Sequence, residues 1–159
     1  MRELSVTTLI DAPPATVWDV LVNRTNEWWC PKPWQAEVDF GARQPGAAVH
    51  TVMRGPDGEV HEHPGLILAW DEGRRFATTD SIVGDLEPHE AFMIGIWEIE
   101  PEGTGTRYTA RARHWSDEAM QQHSEMGFEQ GWSACAAQLK ELCEAEAASQ
   151  AKAAALRSS

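Results

Sequence analysis

Basic side chains are scarce, with 13 Lys and Arg against 25 Asp and Glu, for a formal charge of -12. A field of that sign repels phosphate backbones and anionic headgroups, so neither nucleic acid nor a membrane surface is an expected partner. Long apolar runs are also absent, and no stretch approaches the ~20 residues that a membrane-spanning helix requires. The opening residues reach Glu3 before any signal-peptide apolar block forms, so a cytoplasmic location is expected. Cysteine occurs three times, an odd number that suits a reducing compartment better than a disulfide framework. Cys135 and Cys143 fall on one expected helix, separated by about 12 Å of rise, beyond disulfide reach. Cys30 is expected as a buried structural thiol. Tyrosine occurs once, whereas tryptophan occurs eight times, many for a chain of 159 residues. That length is one ordinary domain with one core.

Leu4, Val6, Thr8 and Ile10 alternate as in a strand. Pro13-Pro14 ends it and can open a short helix, whose apolar face is Val17, Trp18 and Leu21. Thr25 to Trp29 predicts another helical turn, stopped by Pro31 and Pro33. Turn signals at Gly46, Gly55 to Gly58, Asp71 to Gly73 and Glu102 to Gly105 then separate short apolar stretches, the punctuation of an antiparallel meander. The strands predicted are 36–40, 48–54, 60–70, 75–81, 92–100 and 106–115. In the last, Tyr108, Ala110, Ala112 and His114 share the inward face, and the two alanines leave room there. Ser116 is placed to cap a following helix, with Asp117 and Glu118 at its positive end. Phe128, Trp132, Cys135, Leu139 and Leu142 form a helical stripe over several turns. The division expected is a domain over 1–144 and an Ala-rich tail over 145–159, frayed helix or disordered, whose removal should change stability little.

This order of strand, two short helices, meander and long terminal helix resembles the helix-grip fold of the START-like superfamily, or SRPBCC group. More narrowly, it is similar to bacterial proteins related to the C-terminal domain of the heat-shock-protein-90 ATPase activator. The similarity lies in Ile10 to Trp18, Met53 to Gly58, Gly103 to Arg107 and Gly127 to Trp132 with Leu139, within residues 3 to 143. These are turn, cap and packing signals, specific for fold and almost silent about chemistry. The resemblance implies an α+β fold in which a curved antiparallel sheet of six to seven strands wraps a long C-terminal helix around a cavity. In relatives that cavity takes lipids, steroids, plant hormones or polyketides; polyketide cyclases work as acid–base catalysts, and the eukaryotic activator binds a chaperone. No phosphate-binding loop of the Gly-x-x-x-x-Gly-Lys type occurs, so ATPase activity is not expected.

Four constellations are candidates for a functional role. Gly55 followed by His61-Glu62-His63 opens like a cupin metal motif, but Ile67 and Leu68 stand where its glutamate belongs, so no metal is expected. His114 and His123 end the inward strand face and begin the helical region, and can meet near the cavity mouth as acid or base. Trp18, Trp70, Trp97 and Trp132 are expected core, while Trp28, Trp29 and Trp34 lie where the resemblance places the pocket entrance. Gly127 and Gly131 share a helix face and leave room for a strand or a ligand.

The function expected is binding of a small apolar or aromatic molecule, without cofactor, metal or catalytic residues. The candidate ligand-binding residues are Trp28, Trp34, His63, Trp97, Tyr108, Ala110, Ala112, His114, His123, Gly127 and Gly131. The alternatives are a cyclase-like enzyme working through His114 or His123, and a chaperone or regulatory partner module, with a homodimer as a further expectation.

Overall fold

The structure is a computed structural model that describes residues 1–158. Strand β1 (Glu3–Ile10) leads into helices α1 (Pro14–Asn23) and α2 (Thr25–Trp28). Strands β2 (Gln35–Asp39), β3 (Ala48–Arg54), β4 (Val60–Asp71) and β5 (Arg75–Thr79) follow. A small hairpin of β6 (Ile82–Val83) and β7 (Glu87–Pro88), joined by a 3-10 turn, precedes β8 (Met93–Glu102) and β9 (Gly105–His114). Helices α3 (Asp117–Glu125) and α4 (Phe128–Arg157) complete the chain.

Seven strands form one antiparallel sheet in the order β1-β9-β8-β5-β4-β3-β2, so the first and last strands of the sequence lie side by side. The sheet curls around α4, which makes this the α+β helix-grip fold that the element order implies. Pro64 sits in the half of β4 that has a partner on one side only, the setting in which a sheet tolerates proline.

Register sets up the interior. Trp70, Phe76, Trp97, Ala110 and Val6 are direct cross-strand partners, a single row over β4, β5, β8, β9 and β1. The three aromatic members stack, at 5.2 Å between Trp70 and Phe76 and 5.0 Å between Phe76 and Trp97. Ala110 ends the aromatic run, and α4 lies against the neighbouring β1. The next row, Thr78, Gly95 and Ala112, is small throughout. Gly95 is required there, because an added Cβ would stand 2.4 Å from Cη2 of Trp97, whose ring lies back over it.

Two expectations about the C-terminal half need correction. The helical region is broken: Gly127 is not on a helix face but at the junction of α3 and α4, with a left-handed φ of 96° that favours glycine. Residues 81–92, expected to contain only strand ends, carry the β6–β7 hairpin, tied back where Asp80 Oδ1 accepts the Phe92 and Met93 N–H groups at 2.9 and 3.2 Å. The segment after Glu144 continues α4 as far as Arg157. Its first turns dock on the body: Thr16 Oγ1 donates to Gln150 Oε1 at 2.9 Å, and Ala147 packs against the core. Ser159, the last residue of that expected tail, lies outside the described residues. The cap expected at Ser116 is present, its Oγ accepting the Ala119 N–H at 3.0 Å.

Candidate functional site

Between the concave face of the sheet and the helices lies a cavity of about 340 Å³, within the range of small-molecule sites. Val49, Thr51 and Met53 of β3 and His63 and Gly65 of β4 line one side. Phe76 and Thr78 of β5 with Met93 and Trp97 of β8 form the floor, Trp28 and Trp29 one end wall, and Phe92, His123 and Met126 the other. Trp132 of α4 closes it, stacked on Trp97 at 5.6 Å with 14° between the planes. The aromatic row of the sheet thus continues onto the helix. Trp29 meets this stack edge-on, 5.6 Å from Trp97 and 5.2 Å from Trp132. No lysine or arginine lines the cavity.

A second depression of about 410 Å³ beside α2 and β2 is polar. Its charges already serve one another: Arg24 holds Glu27 with two hydrogen bonds, and Arg43 donates to the Val22 carbonyl.

Of the residues singled out from the sequence, Trp28, His63, Trp97 and His123 line the cavity. Trp34, Tyr108, Ala110, Ala112, His114, Gly127 and Gly131 stand outside its lining. Tyr108, Ala110 and Ala112 are instead packed into the core, each at most 1% exposed, with Trp28 edge-on to Tyr108 at 6.2 Å. Trp34 stacks instead on the His61 ring at 5.8 Å. An added Cβ at Gly131 would find only Pro31 Cγ, 3.9 Å away, so this glycine borders neither the cavity nor a tight strand contact. Trp29, expected at the pocket entrance, is part of the wall. Phe76, Thr78 and Met93 are not among the expected residues; their part in the wall depends on strand register and chain path, which spacing does not carry. Trp132, expected as core, is also wall.

His114 and His123 do meet, with Nε2 of the first 2.9 Å from Nδ1 of the second. Both rings are buried, and Phe92, Phe128 and Trp132 surround His123. Burial, then the neighbouring His114, holds the His123 pKa down to about 4. Burial also lowers His63, and His61 adds to the effect. The rings of His61 and His63 lie 6.5 Å apart, and among the described residues no group of three or more His, Cys, Asp or Glu gathers to hold a metal. All three cysteines are free and buried, with burial pushing Cys30 up to about 11 and Cys135 and Cys143 up to about 12, so none is poised as a nucleophile. Among the described residues no helix is long and apolar enough to cross a membrane.

Comparison with known proteins agrees with this architecture. The family described as Activator of Hsp90 ATPase homolog 1-like protein matches residues 11–144. A crystal structure of a protein from Nitrosomonas europaea is 32% identical, with a TM-score of 0.82 over 92% of this chain and 96% of that one. A crystal structure from Mycobacterium smegmatis is 28% identical, with a TM-score of 0.72 over 88% of this chain and 89% of that one. At 17% identity, a protein from Silicibacter pomeroyi shares the fold, with a TM-score of 0.67 over 91% of this chain and 99% of that one. No curated protein matches in sequence. With most of its length covered by the family match and the helix-grip sheet and helix in place, the chain belongs to the family of Activator of Hsp90 ATPase homolog 1-like proteins.

Proposed function

We propose that this protein binds a small apolar or aromatic molecule in the cavity between its sheet and α4. The observation that carries the proposal is the cavity of about 340 Å³ walled by Trp28, Trp29, Phe76, Trp97 and Trp132. Open space beside so much aromatic surface loses dispersion contacts and apolar burial that a ligand of matching shape would restore. The described residues around it hold no group that could keep a metal, and binding needs none. Native mass spectrometry of protein purified from its own host is expected to show a retained small organic molecule that leaves on denaturation. A native mass equal to that of the bare chain would count against the proposal.

The contact between His114 and His123 favours a second reading, an acid–base catalyst of the kind implied by the resemblance to polyketide cyclases. Turnover of a cyclisable substrate, abolished by His123→Gln, would carry that reading.

A further inference from the structure

The cavity has polarity as well as shape, and a buried hydrogen-bond chain sets it. The Arg2 carbonyl can only accept, so His114 Nδ1, 3.3 Å from it, carries a proton. With both rings neutral, His114 Nε2 holds a lone pair and accepts from His123 Nδ1–H at 2.9 Å. His123 Nε2 is then the unprotonated nitrogen. Because Nδ1 is turned toward His114, which lies outside the lining, the edge that His123 gives to the cavity is the one bearing Nε2.

That nitrogen is unpartnered but not sealed. Among the described residues the sealed side-chain polar atoms without a partner are Arg75 Nε and Trp97 Nε1. The other charged group near this end, Asp80, is also an acceptor. Burial and His114 act against a positive charge on His123, with Asp80 opposing them, and a pKa of about 4 keeps the ring neutral at ordinary pH. An anionic head entering here would lose its water, meet acceptors, and find no lysine or arginine on the lining.

We propose that the ligand is a flat aromatic molecule with a neutral hydroxyl head, which donates to His123 Nε2 while its rings lie along Phe76, Trp97 and Trp132. Carboxylates and phosphates of the same size bind more weakly. This rests on the cavity reading above, and the test separates the two.

The probes are naphthalene, β-naphthol, β-naphthyl methyl ether and β-naphthoate, titrated calorimetrically near neutral pH. Wild-type protein is expected to bind β-naphthol about fivefold or more tighter than naphthalene or the ether, the worth of one neutral hydrogen bond, and to bind β-naphthoate weakest. In His123→Phe the ratio of β-naphthol to naphthalene affinity is expected to fall to about one, whatever the change in the affinity for either probe alone. Equal affinities for naphthalene and β-naphthol in wild type, survival of the preference in His123→Phe, or tightest binding of β-naphthoate would each overturn the inference and leave the cavity reading standing. Failure of every probe to bind wild type would overturn both. Should His123→Phe not fold, nitrogen NMR of wild type decides: an unprotonated His123 Nε2 resonance that moves upfield with β-naphthol, and not with naphthalene, supports the inference. A protonated Nε2 in the free protein overturns it.

Discussion

At the scale of single residues, His123 couples the cavity wall to pH. Burial first and His114 second hold its pKa to about 4 against the ordinary histidine value of 6.5, with Asp80 pulling the other way. Unfolding removes these effects, so between the two values the unfolded chain binds more protons than the folded one, and stability rises with pH. The contribution is whole above about 6.5 and is lost as the pH falls toward about 4. Urea midpoints across that window should fall on acidification, and His123→Phe should flatten the fall. An undiminished fall between pH 6.5 and 4.5 in the variant would contradict this, because carboxylates such as Glu72, whose pKa the Trp70 and Trp18 N–H bonds lower, lose their contribution only below about 4.5. The meeting of His114 with His123 was legible in the sequence, because one ends an inward strand face and the other follows a short capped turn. The wall positions of Phe76 and Thr78 were not, since which neighbour a side chain meets across a sheet is a property of register.

Among the elements, α4 does more than its apolar stripe foretells. Its stripe of Phe128, Trp132, Cys135 and Leu139 is buried, as the helical period predicts. Beyond Glu144 the helix presents mostly alanine, and periodicity among small residues gives no signal of a docked face. The docking is made instead by one hydrogen bond from Thr16 to Gln150 and the half-buried Ala147, with Glu146 3.6 Å from Arg24. The exposed ion pair should add little. Deletion of residues 145–159 is therefore expected to cost about 1–2 kcal/mol, a melting shift of several degrees, whereas deletion from Ala151 should cost almost nothing. Equal melting temperatures for the two truncations would show that the Gln150 contact contributes nothing. The break between α3 and α4 escaped the sequence reading because Gly127 fits the spacing of a helix face, and only its left-handed backbone shows it to be a junction.

Over the whole molecule, the cavity arises from two neighbouring rows of the sheet with opposite character. One row carries Trp70, Phe76 and Trp97, and the next carries Thr78, Gly95 and Ala112. Of the small row Thr78 faces the space under the helices, beside Phe76 and Trp97 of the large row, and Trp29 and Trp132 wall that space with rings. The fold itself was legible from element order and turn residues, because those signals are local. The cavity was legible only as a consequence of the family resemblance, since strands far apart in sequence supply the two rows. Tryptophan fluorescence titrated with naphthalene tests this account most directly, comparing wild type with Thr78→Phe, a substitution that fills the small row. Because Trp28, Trp29, Trp97 and Trp132 line the space, wild type is expected to show a saturable one-site change in emission, which the filled variant loses while melting at or above the wild-type temperature. No saturable change in wild type, or identical titrations of the two proteins, would contradict it.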